Sequence, residues 1–108
     1  MVSVQIREEY AAMLEPLEES VDTALRHYAI EKARARILDI EPGLQKHEEK
    51  YGCSYDLFVY RTTTDEEFVR QLDANAATQQ WESDLIDWEF DVEELREWRR
   101  RLQMLLTA

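Results

Sequence analysis

The chain has 108 residues, which suits one domain with a single modest hydrophobic core. Its 24 acidic residues outnumber 13 basic ones, and the net charge of −11 repels phosphate backbones and favours a basic partner. Hydrophobic residues reach 44%, which argues against disorder, while two glycines and two prolines are too few for the tight turns of an all-β fold.

The first element, "VSVQI" at residues 2–6, alternates Val2, Val4 and Ile6 with Ser3 and Gln5. Period two with β-branched residues predicts a short strand. A strand this short needs a partner, and no second good strand follows, so the economical partner is its own copy from another chain. A homodimer assembled through residues 2–6 is therefore expected.

"REEYAAMLEPLEE" predicts a helix with Tyr10, Met13, Leu14 and Leu17 as its apolar stripe. Pro16 should end or kink it. Ser20 suits the N-cap of a second helix through "VDTALRHYAIEKARARILDI", and Asp22 complements that helix's dipole. Pro42 and Gly43 should kink or stop it, "LQKHEEKYG" resumes, and Gly52 suits a C-terminal stop. "SYDLFVYRTTT" has strand-like content, but Ser54 can cap a helix and the helix is favoured. Thr64 and Glu67 form a capping box for "DEEFVRQLD".

After "ANAATQQ" the longest helix is expected, from about residue 77 to the penultimate turn. Trp81, Leu85, Trp88, Val92, Leu95, Leu102 and Leu106 form a heptad-like seam along it, interrupted only at Arg99. Phe90, Trp98 and Leu105 are expected to widen that seam to one side. Its segment "DLIDWEFDVEELREW" packs seven carboxylates and two tryptophans into residues 84–98, and the acids lean to this half of the chain. Residues 1–54 hold 11 acids and 7 basic residues, a net −4, against 13 and 6, a net −7, in residues 55–108.

Catalytic and metal-binding signatures are weak. His27 and His47 lie twenty residues apart without an HExxH arrangement, and His47 with Cys53 makes only two ligands. Cys53 is the lone cysteine, without a Cys-x-x-Cys partner or a basic cluster to activate it. The acids are interspersed rather than paired in a cleft. No enzyme activity, cofactor or metal is expected. The tryptophans suit either a core or a partner surface, since large aromatics anchor both.

The N-terminal third, "VSVQIREEYAAMLEPLEESVDTALRHYAIEKA", resembles a ribbon-helix-helix module, in which strands from two interlocked chains read the DNA major groove. That resemblance implies outward Ser3 and Gln5, with Arg7 beside them, as the DNA-binding residues. The strand carries neither Lys nor Arg, which implies weak DNA binding or none. The stretches "ALRHYAIEKA", "HEEKYGCSYDLF" and "DLIDWEFDVEELREW" resemble antitoxins of small bacterial toxin–antitoxin modules, of the kind paired with TumE-like toxins. Such proteins neutralise a toxin by direct contact, which implies a cognate toxin, basic in charge, meeting Trp81, Trp88, Glu89, Asp91, Glu94 and Trp98.

The expectation is a mostly α protein with a short N-terminal strand, interlocked through residues 1–41 as a ribbon-helix-helix-like dimer. Residues 42–108 form the acidic, partner-binding helical extension of the same domain. The setting is cytoplasmic, since no apolar run reaches membrane-spanning length and a lone cysteine suits a reducing compartment. The functional expectation is a non-enzymatic antitoxin-like binder. A helical scaffold without a toxin, or a weakly DNA-binding autorepressor, stands as the alternative.

Overall fold

A helix of 35 residues, α2 (Leu17–Tyr51), forms the long axis of the protein in the computed structural model, which describes residues 3–107. At 1.5 Å per residue it is about 52 Å long. It is preceded by the short α1 (Glu8–Met13) and followed by α3 (Tyr55–Thr64), α4 (Glu66–Ala74) and α5 (Trp81–Thr107). No strand occurs among the described residues.

Pro42 lies inside α2 rather than at its end. A proline there forfeits one backbone hydrogen bond, at a cost of about 3 kcal/mol in an isolated helix. Packing outweighs that loss, because α5 lies along the same stretch. Ile40 is buried just before the proline, and Leu44 joins the core just after it. The approach is close at Gly43, where a β-carbon would sit 2.7 Å from Asp91 Oδ2 on α5. The helix ends at Gly52, whose φ of 69° is a left-handed conformation that glycine adopts without steric cost.

α5 runs antiparallel to α2. Lys50 pairs with Asp84 at one end, Arg36 with Glu94 midway, and Arg26 donates to the Leu105 carbonyl at the other. The two ends of this hairpin differ. At the closed end, α3 and α4 lie across α2 and α5 and enclose Phe58, Leu72 and Trp88. Leu44, Tyr51, Phe68, Trp81, Leu85 and Val92 pack around that centre. At the open end α2 and α5 meet over residues 17–39 and 93–107, with Ile6 from ahead of α1 alongside Leu17, Val21 and Leu25. The molecule measures 68 × 24 × 24 Å, and its radius of gyration of 21.6 Å far exceeds the roughly 13 Å of a compact chain this size.

Several expectations need correction. Residues 3–7 precede α1 without regular structure, and Val4 and Ile6 are exposed, so the predicted strand is not formed; Val2 lies outside the described residues. Five alternating residues cannot hold a strand without a paired edge. The ribbon-helix-helix arrangement, and the ribbon that would have presented Ser3, Gln5 and Arg7, fall with it. Arg7 instead flanks α1, pairing with Glu9 at 3.3 Å. The division at residues 41 and 42 falls within α2, and α2 rather than α5 is the longest helix. Its N-cap is Pro16, with Ser20 already in the helix, so Pro16 starts α2 as well as separating it from α1. Ser54 does cap α3, accepting from Leu57 N at 3.3 Å. The cap of α4 is Asp65, accepting from Phe68 N at 3.1 Å, one residue beyond the predicted Thr64.

Candidate interaction face

Trp88 explains how the acidic segment is oriented. Its ring is fully buried, stacked between His47 (5.6 Å between centroids) and Tyr51 (5.9 Å) from α2. From α3, Tyr55 meets it edge-on at 5.8 Å, and Phe58 lies tilted against it at 5.3 Å. The two neighbours from α2 are themselves held. His47 Nδ1 lies 3.0 Å from the Gly43 carbonyl, which can only accept, so Nδ1 carries the proton. Tyr51 donates to Asp84 at 2.5 Å, and Lys50 donates to the same oxygen at 2.7 Å.

Burial pushes the Tyr51 phenol far above its ordinary range, and the hydrogen bond to Asp84 with that carboxylate's charge pushes it further. Burial alone would raise Asp84, but the hydrogen bonds from Lys50 and Tyr51 and the Lys50 charge win and hold it below the usual carboxylate value. This cluster locks the rotation of α5 about its axis.

With Trp88 inward, the rest of the segment follows from a turn of 100° per residue. Leu85, Val92 and Leu95 face inward with it. Asp91 points at α2 beside Gly43, and Glu94 points at α2 beside Arg36, 3.9 Å away, while accepting from Trp98 Nε1 at 3.1 Å. Ile86 and Phe90, two residues either side of Trp88, are turned nearly opposite. They are 68% and 60% exposed, one turn apart, and Glu93 and Glu97 continue the same line. Phe90 therefore does not widen the seam as its spacing near Trp88 suggested.

The six residues expected at a partner surface are thus divided. Trp88 has no exposed surface to offer. Trp81 is half-buried against α4, donating to Asp73 at 2.8 Å, and Trp98 is half-buried on the open end. Asp91 and Glu94 face α2, and only Glu89 stands on the outer surface. Ile86 and Phe90 were missed, although their spacing of four and their offset of two from Trp88 would have located them on a helical wheel.

Charge sharpens the difference between the ends. Residues 40–92, which build the closed end and this part of α5, hold thirteen acids and four basic residues, a net −9. Residues 17–39 and 93–107, the open end, hold eight of each and are neutral. The outer face of α5 thus places two exposed apolar side chains within the most acidic part of the molecule.

Nucleophilic chemistry finds little support in the same region. Burial raises the Cys53 thiol above its ordinary value, with Arg61 opposing and Glu48 adding to the rise, so the reactive thiolate is disfavoured. Among the described residues no group of three or more His, Cys, Asp or Glu converges as metal ligands. No helix among them is long and apolar enough to cross a membrane.

No protein-family model, curated protein or solved structure matches this chain.

Proposed function

We propose that the protein is a non-catalytic binding module that captures a basic protein partner through the outer face of α5 at its closed end. The observation that carries this reading is the exposed pair Ile86 and Phe90 set within a −9 region. Isolated apolar residues on a surface are ordinary; an apolar pair with a carboxylate surround offers anchors and a long-range field together. The antitoxin resemblance of "DLIDWEFDVEELREW" supports a toxin as the partner, neutralised by direct contact in the cytoplasm, where a lone cysteine stays reduced.

The first partner to test is any small basic protein encoded beside this chain, by co-purification and by rescue of growth on co-expression. Phe90→Ala and Ile86→Ser should speed dissociation, each by tenfold or more if it is an anchor of about 1.4–2 kcal/mol. Glu89→Gln with Glu93→Gln should chiefly slow association and flatten its salt dependence. Trp88→Ala should instead unfold the closed end, a loss of about 3–5 kcal/mol for a buried large aromatic. Normal binding and growth rescue by the Ile86 and Phe90 variants would remove this reading.

A further inference from the structure

The open end is a two-helix layer whose third and fourth positions are vacant. α3 and α4 cover the hairpin only at the closed end, leaving Leu25 63% and Tyr28 67% exposed on α2. Beside them runs a largely apolar groove of about 370 Å³ between the helices, floored by Ala29 and Ala33 and walled by Trp98, Met104 and Leu105, with three cationic side chains along it, two of them neutralised by Glu97. Large side chains and a small-residue groove on one face are a knob and a hole on the same surface. A two-fold dimer requires that self-complementarity, because each copy must supply both halves of the contact.

From these features we infer that the open ends of two copies pack together, antiparallel, as a four-helix bundle in which Leu25 and Tyr28 of each copy fill the other's groove. Charge selects a second copy over an oppositely charged partner, since eight acids and eight basic residues leave this end neutral. Charge also selects the direction. Antiparallel copies crossing near Tyr28 set the acidic start of one α2, Glu18 and Asp22, towards Lys32 of the other, the cation on the groove side of that helix. A parallel pair would oppose acid to acid and bring both −9 ends side by side.

The face is long enough. Residues 17–39 span roughly 33 Å, and two helix widths give on the order of 600 Å² per copy, at the lower end of a specific interface. This contact replaces the strand pairing expected from residues 2–6, and it leaves the outer face of α5 free at both tips. It does not depend on the partner proposed for that face.

The first test is the mass of the full chain in solution. Sedimentation equilibrium at tens of micromolar should give twice 12.9 kDa. Leu25→Glu with Tyr28→Lys should give the monomer mass while leaving near-ultraviolet circular dichroism of the closed end unchanged. Asp22→Arg should weaken the dimer at least tenfold, and adding Lys32→Glu should restore it. A spin label on the exposed face of α4, Gln71→Cys with Cys53→Ser, should report copies on the order of 70 Å apart by pulsed resonance. A monomeric full chain, a dimer indifferent to the Leu25 and Tyr28 changes, or a label distance under about 40 Å would each overturn the inference. Loss of partner binding by Phe90→Ala with the dimer mass intact would leave it standing, so the two readings fail separately.

Discussion

Tyr51 is the residue on which the closed end can be interrogated by pH. Its phenol is raised by burial and by the hydrogen bond to Asp84, so the folded state holds the proton more tightly than the unfolded chain. The stabilisation is complete below the ordinary phenol value of 10.0 and is lost as pH rises above it. Urea midpoints followed by tryptophan fluorescence should therefore fall between pH 9 and pH 11, and Tyr51→Phe should remove part of that fall. Asp84 works in the opposite direction, being depressed below its ordinary 3.8, so its contribution disappears as pH drops through that region. An alkaline fall of equal size in Tyr51→Phe would mean the phenol contributes nothing. At this scale the sequence was readable only in part. The seam put Trp88, Val92 and Leu95 on one helix face but left core and partner surface open for the tryptophan, and burial decides for the core. The rings of His47, Tyr51 and Tyr55 around Trp88 were not readable, because they arrive from two other helices.

Helix α2 shows which element boundaries a sequence can reveal. Gly52 and Ser54 act through the local backbone and were legible as a stop and a cap. Pro42 was misleading, because its local cost is offset by α5, which begins only at Trp81, two helices further along the chain. The strand at residues 2–6 failed for the converse reason, since an alternating pattern needs a neighbour and none forms among the described residues. Gly43 separates local from tertiary effects. Alanine is better in a helix interior by about 1 kcal/mol, but its β-carbon would meet the Asp91 carboxylate at 2.7 Å. The tip of Asp91 can rotate away while its Cγ, at 3.6 Å, keeps an ordinary contact, so Gly43→Ala should stabilise by about 0.5–1 kcal/mol. Gly43→Leu cannot be accommodated that way and should destabilise. A loss of stability in Gly43→Ala would show that the helix spacing is fixed by the glycine itself.

Over the whole molecule, order should be graded along the long axis. The closed end packs side chains from four helices around Phe58, Leu72 and Trp88, while the open end alone buries little more than Ala33 and Leu95. Hydrogen exchange should accordingly be slowest for residues 44–51 and 85–92 and faster beyond residue 30 towards the start of α2. In Leu25→Glu with Tyr28→Lys that gradient should steepen, with the open end exchanging several-fold faster. Uniform protection along α2 in that variant would contradict the graded picture. The separation of charge along 68 Å has one more effect. Two copies joined at their neutral ends carry acid at both tips of a longer rod, so a cationic surface pulls on either tip and not on the middle. Contact then begins end-on, whichever tip arrives first, and the search over orientations is shortened.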